Sequence, residues 1–219
     1  MKKNILILCI TLFLYGCNAN KHTNEHTNKH QVPPIVLVKP SVSIMSTEEK
    51  NKLNALIYGL NMTIKRYDNI YKAKDTQTVA NDIKRYNKFH NWIFNDPAQI
   101  QKQKELIDAF SYAYDFIDDK RKKLASHKYK STEQYIKDSF HFFHNEEYRK
   151  SHTYDPSWYG RTKNDFANYI NVYFLGIIMQ SISRTNEHAT SEEIFQVMKE
   201  ELQNKESYTY QNSLALWKD

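Results

Sequence analysis

The sequence predicts an all-α protein, an antiparallel bundle of about five or six helices on an extended N-terminal tether, and three observations carry that expectation. Four glycines and five prolines in 219 residues leave few positions for the tight turns that join short strands. Long stretches rich in Lys, Glu, Gln and Asn carry apolar residues at alternating spacings of three and four, which places one apolar stripe on each helix. Helix-start signals separate those stretches, at Ser46-Thr47-Glu48-Glu49, Asp96-Pro97, Ser131-Thr132-Glu133-Gln134, Asp155-Pro156 and Thr190-Ser191-Glu192-Glu193.

The chain begins with an address. Lys2 and Lys3 precede an apolar run from Ile5 to Tyr15, too short to span a bilayer stably as a mature helix but suited to a signal peptide. Leu14, Gly16 and Cys17 then stand in the order of a bacterial lipoprotein cleavage site, where a leucine three positions before the cysteine and a small residue just before it mark the cut. The expected product starts at Cys17, lipidated through its sulfur and its amine. Residues 1–16 are read as signal, 17–45 as the lipidated cysteine and a flexible tether, and 46–219 as the helical bundle domain.

The tether is polar and nearly repetitive, Lys21 to Asn24 and Glu25 to Asn28 sharing His-Thr-Asn, and Pro33, Pro34 and Pro40 favour extended backbone over helix. Ile35 to Val38 is too apolar for a pure linker and is expected to lie along the domain as a strap or an edge strand. His22, His26 and His30 recur every four residues and read either as a weak copper or zinc chelator or as a hydrophilic spacer. The spacer is preferred, since nothing nearby fixes the ligands.

In the bundle, the first helix follows the Ser46 cap and carries Leu53, Leu56, Ile57, Leu60, Ile64, Tyr67 and Tyr71 on its apolar face. Asp75-Thr76 breaks and recaps the chain into a second helix with Val79, Ile83, Tyr86, Phe89, His90 and Ile93, ending near Phe94. Asp96-Pro97 opens a third, with Ile100, Gln103, Leu106, Ile107, Phe110, Ala113, Tyr114 and Ile117, running to about Leu124. A fourth follows Ser131 with Tyr135, Ile136, Phe140 and Phe143. The segment from Thr162 to about Ser183, with Phe166, Tyr169, Ile170, Tyr173, Phe174, Ile177, Ile178 and Ile182, is the most apolar of the mature chain and is expected at the centre. A last helix follows Thr190 with Ile194, Val197, Met198 and Leu202, and the tail holds Leu214, Leu216 and Trp217.

Composition excludes several function classes. Of two cysteines, Cys9 leaves with the signal and Cys17 takes the lipid, so no thiol remains for a disulfide, a zinc-thiolate site or a nucleophile. The net charge of +6 is spread along the chain: Lys2 and Lys3 supply two charges, the tether two more, and the domain from Ser46 onward only the last two. A nucleic-acid binder concentrates its basic residues on the folded domain, so nucleic acid is not an expected partner. Phosphate-binding loops, nucleophile elbows and zincin motifs are missing, and no enzyme is expected. No cofactor is expected beyond the covalent lipid on Cys17.

Three clusters remain as candidate sites. Lys120, Arg121, Lys122 and Lys123, with Lys128 and Lys130, form the densest basic run, suited to a sulfated glycosaminoglycan or an acidic patch on a host protein. The preferred reading of that run is a solvated helix end complementing its dipole. Tyr154, Trp158 and Tyr159, with Tyr148 and His152, lie in a poorly periodic connection and read either as interface anchors or as a plug for the bundle end. His141, His144 and Glu147, with Asp138, could reach one metal ion from neighbouring turns. The preferred reading makes them solvent-facing polar residues flanking buried Phe140 and Phe143.

Trp92, Asn95-Asp96-Pro97, Gln101 to Leu106, Ala109-Phe110, Tyr114 to Ile117, Lys120-Arg121 and Glu133 to Ile136 together resemble the multicopy (Mlp-like) lipoproteins of Borrelia spirochaetes. The resemblance spans roughly Ser46 to Phe140, and the residues after about Asn145 form an extension outside it. It implies a lipid-anchored, helical, surface-exposed antigen of the outer membrane. By analogy with related relapsing-fever lipoproteins, the implied partner is a host protein, complement factor H or another complement regulator, and the implied role immune evasion. A periplasm-facing structural or accessory lipoprotein, a glycosaminoglycan-binding adhesin and a metal-binding bundle are the alternatives.

Overall fold

Thr47–Ile70 forms α1, which starts where the Ser46 amide donates to Glu49 Oε2 at 2.6 Å while the Glu49 amide donates to Ser46 Oγ at 3.1 Å. This reciprocal cap satisfies two of the amides that a helix start leaves without partners. The structure, a computed structural model, describes residues 44–70, 76–144, 147 and 169–217. The expected strap at Ile35 to Val38, the Asp155-Pro156 start, Tyr71 and Phe166 lie outside them, as does the tether.

The remaining elements are α2 (Thr76–Phe94), α3 (Ile100–Ala125), α4 (Thr132–His144), α5 (Tyr169–Ile178), α6 (Ser191–Gln203) and α7 (Tyr208–Gln211). Among the described residues there are helices and turns and no strand, so the all-α expectation holds. The count exceeds the expected five or six because the tail folds a short seventh helix, capped by Ser207. Asp96 does cap the expected start, accepting from the Ala98 amide at 2.9 Å, but Pro97–Gln99 first makes a 3-10 turn before α3 proper. Thr190 and Glu193 close a second capping box at α6.

The core gathers where α1, α3 and α4 meet α5. Phe174 on α5 sits 5.9 Å from Phe110 of α3 and 5.7 Å from Phe140 of α4, ring centre to ring centre, and α1 presents Gly59 to the same ring. Each such buried aromatic contributes about 1.5–3 kcal/mol by removing its surface from water. The expectation that this segment lies at the centre is met. Its helical register changes at the end: Met179–Ser183 is a π-turn, placing Ser181 and Ile182 inside and delivering the chain to the loop before α6.

The stripes read from spacing are mostly the buried ones, with local differences. Leu53, Ile57 and Ile83 are only partly buried, whereas Ala55 and Phe195 are fully inside. On α4 the buried aromatics are Phe140 and Phe142, and the side chain of Phe143 lies outside the described residues. In the tail, Leu214 and Trp217 are buried while Leu216 is 53% exposed.

Candidate functional site

The basic run from Lys120 to Lys130 does not form one surface. It spans the last turn of α3 and the bend into α4, so successive side chains leave in different directions. Lys120 and Arg121 are 6% and 9% exposed, which corrects their reading as partner-binding residues or as a solvated helix end. Lys120 Nζ lies over the rings of Phe116 and Trp217, at 5.5 and 5.8 Å, where the negative ring face attracts it. Arg121 donates from Nη1 to the Tyr129 carbonyl at 2.7 Å and from Nε to Asp118 at 2.8 Å, which ties the end of α3 to the following turn.

Asp118 collects the rest of that corner. It pairs with Lys122 at 2.7 Å and accepts from the Thr132 hydroxyl at 2.5 Å. Burial opposes its ionisation, but the bonds from Lys122, Thr132 and Arg121 prevail and hold the carboxyl below the usual range. Lys128 is half-buried, its ammonium 4.8 Å from the centre of the Phe142 ring. Of the lysines and arginine in the run, only Lys122, Lys123 and Lys130 are exposed.

The other sequence candidates divide in the same way. Cys17, Tyr148, His152, Tyr154, Trp158 and Tyr159 lie outside the described residues, as does the side chain of His144. His141 is partly buried, with Nε2 3.2 Å from the Tyr58 hydroxyl, and Asp138 is buried and accepts from Gln134 at 2.8 Å. Asp138 and His141 are therefore not the solvent-facing residues expected. Glu147 is exposed. Among the described residues, no three His, Cys, Asp or Glu side chains converge as metal ligands.

A concavity that spacing did not signal lies between α2 and the loop before α6. It encloses about 350 Å³ and is lined by Asn81, Lys84, Arg85 and Lys88 from α2 and by Glu187, His188, Ala189, Ser191 and Ile194 from the other side. A polar knot holds its two walls together. Arg85 donates from Nη1 to the carbonyls of Thr185 and Asn186, at 3.2 and 2.5 Å, and from Nη2 to the Ile182 carbonyl and to Asp82 at 3.1 Å. The other oxygen of Asp82 accepts from Ser183 at 2.8 Å, and the Tyr67 hydroxyl, 3.2 Å from the same oxygen, packs against the Ser183 hydroxyl.

Arg85 is thus spent on the scaffold, and Lys84 and Lys88 are not. Both lysines are exposed, one helical turn apart, and neither has an ion-pair partner among the described residues. The nearby carboxylate of Glu187 instead lies 3.5 Å from His188. Several lysines elsewhere are paired, Lys102 with Glu192, Lys199 with Glu105 and Lys52 with Glu48. The sequence did contain one trace of the cleft, the Lys84-Arg85 and Lys88 spacing on one helix, but its opposing wall comes from about a hundred residues later.

The chain is 26% identical to Lipoprotein MlpJ of Borreliella burgdorferi over 99% of its own length and 98% of that protein's. The chain is similar to that lipoprotein over its whole length. The likeness extends through the residues after Asn145, so that part is no extension outside it, and the expected resemblance is whole-length. No protein-family model matches the chain, and no solved structure does. Among its described residues, no helix is long and apolar enough to cross a membrane.

Proposed function

We propose that this is a lipid-anchored lipoprotein of the outer membrane surface whose helical bundle binds a host protein, a complement regulator such as factor H, and so serves immune evasion. The observation that carries the reading is the whole-length likeness to a spirochaete lipoprotein joined to the cleavage pattern ending at Cys17. The lipid on Cys17 supplies the membrane attachment that a marginal single chain or a dual-chain anchor provides, and the polar tether carries the bundle clear of the headgroups. The activity is binding and not catalysis. Support for a protein partner over a glycosaminoglycan comes from the basic run itself, whose Lys120, Arg121 and Lys128 are engaged inside the fold.

Two measurements test this. Protease added to intact cells should remove the bundle, whereas a periplasm-facing accessory lipoprotein stays protected. The full-length lipidated protein held in detergent micelles should capture a complement regulator from serum. Protection on intact cells would refute the surface location, and serum that yields no complement component would refute the partner.

A further inference from the structure

We propose that the cleft between α2 and the loop before α6 is the docking site for an acidic peptide segment of the partner protein. Lys84 and Lys88 take its carboxylates, and the partly exposed Ala189 meets a neighbouring apolar side chain. This rests on the host-protein-binding reading and deepens it by naming the surface and the chemistry of the segment that fits.

Charge complementarity is the first argument. Three cations, Lys84, Arg85 and Lys88, line the cleft against one carboxylate, Glu187. Arg85 is neutralised by Asp82 and anchored to three backbone carbonyls. The charge left for a ligand therefore sits on Lys84 and Lys88, whose spacing of four residues places both ammonium groups on one side of α2. The start of α6 is not the attracting feature, because Thr190 and Glu193 already bond two of its amides and Glu192 and Glu193 place negative charge on its first turn.

Preorganisation is the second. The walls belong to segments far apart in sequence, yet the Asp82, Arg85, Ser183 and Tyr67 bonds lock the π-turn at Met179–Ser183 and the chain after it onto α2. The π-turn ends α5. Here it turns the loop so that residues 187–191 face α2. A cleft held open in this way spares the ligand the ordering of its receptor.

The mixed lining decides the class of ligand. Asn81 and Ser191 offer neutral hydrogen-bonding groups, Ala189 offers a small apolar surface over the buried Ile194, and Glu187 repels a run of anions. A sulfated polysaccharide needs a continuous basic track, whereas a peptide alternating carboxylates with apolar residues matches every part of this lining. The volume of about 350 Å³ accommodates a few side chains and not a folded domain.

The test uses the full-length lipidated protein in detergent micelles and a dye-labelled peptide of alternating glutamate and leucine, with its glutamine and leucine counterpart as the neutral probe. Fluorescence anisotropy should show saturable binding of the acidic peptide alone, weakening as salt is raised. K84E/K88E should weaken it at least tenfold, and A189F, which fills the cleft without touching its charge, should do the same. K50E/K65E makes the same charge change on exposed lysines of α1 and should leave binding as it is. Unchanged binding in K84E/K88E and A189F, equal binding of the neutral peptide, or displacement by a heparin oligosaccharide in preference to the acidic peptide would overturn the proposal. In the serum capture, failure of the unaltered protein removes the host-binding reading and the cleft's partner with it. Capture that survives K84E/K88E removes the cleft assignment alone.

Discussion

Phe174 fills the space that any side chain at position 59 would need: a Cβ added to Gly59 would lie 2.3 Å from Phe174 Cε1 and 2.4 Å from its Cζ. This is where α1 and α5 cross, and the close approach is possible only because α1 has no side chain there. Helix propensity alone would favour alanine over glycine by about 1 kcal/mol. The crowding acts against it, since overpacking a rigid aromatic centre costs about 1–3 kcal/mol. Gly59→Ala is therefore expected to destabilise by up to about 2 kcal/mol net, read as a lower denaturant midpoint at unchanged slope. A variant as stable as the parent would show that the two helices separate freely.

The tail closes one end of the bundle through Trp217, which stacks on Tyr169 at 5.6 Å and meets Phe116 at 6.2 Å with Lys120 over its ring. Trp217→Ala is expected to cost about 3–5 kcal/mol, the range for emptying a large aromatic site. The indole Nε1 is buried without a hydrogen-bond partner, so Trp217→Phe keeps most of the packing and should cost less than half as much. Lys120→Met keeps the aliphatic stem and removes the charge, for an expected loss of about 0.5–2 kcal/mol. Thermal or chemical unfolding of the three variants should rank them in that order.

Arg85→Ala leaves the Asp82 carboxylate buried with only two hydroxyl donors and releases three backbone carbonyls. Removing one partner of a buried pair costs about 3–5 kcal/mol. The expected signature is local as well as global: amide exchange should quicken through residues 182–186 before it does in α3. Uniform exchange across the chain would mean that the knot does not hold the loop.

His90 makes folding depend on pH. Its ring lies 5.8 Å from Tyr86 and 5.2 Å from Phe94, and Nε2 is 3.4 Å from Asn61 Nδ2. Burial pushes its pKa below the ordinary value of 6.5, against a smaller opposing bond from Asn91. The neutral ring is the folded form, so between the two pKa values the unfolded chain binds more protons. The contribution is complete above pH 6.5 and is lost as pH falls from there through the lowered value. The midpoint of thermal unfolding should fall between pH 7 and pH 5, and His90→Gln should flatten that decline. An equal slope in the variant would assign the effect elsewhere.

Asp118 acts in a lower range. Its carboxyl is held below 3.8 by Lys122, Thr132 and Arg121 against the opposing effect of burial. Its stabilisation is complete above the ordinary carboxylate range and disappears as pH falls through the lowered value. Asp118→Asn should therefore match the parent most closely near pH 2 and differ most at neutral pH, by about 1–2 kcal/mol for hydrogen bonds to a charged group that is still partly solvated.

Helix starts and stripes were legible because they are local. Ser46 with Glu49, Asp96 with Pro97 and Thr190 with Glu193 satisfy their own amides within four residues, and a period of three and four needs no distant partner to place Leu56, Phe110 or Phe174 inside. The cleavage pattern read at Leu14, Gly16 and Cys17 is likewise contiguous, and so is the Mlp-like style of helix. What spacing alone could not reveal was the fate of polar groups. Lys120 and Arg121 read as solvated because charge is usually solvated, yet Trp217 and the Tyr129 carbonyl, both distant along the chain or around a turn, draw them inside. The cleft is of the same kind: Lys84 and Lys88 become a site only when the π-turn and Arg85 bring residues 187–191 opposite them. Secondary structure follows from interactions within one turn of helix, so the sequence by itself determined it. Which charges are buried and which remain for a partner depends on long-range neighbours and the water they exclude, and that only the tertiary structure decided.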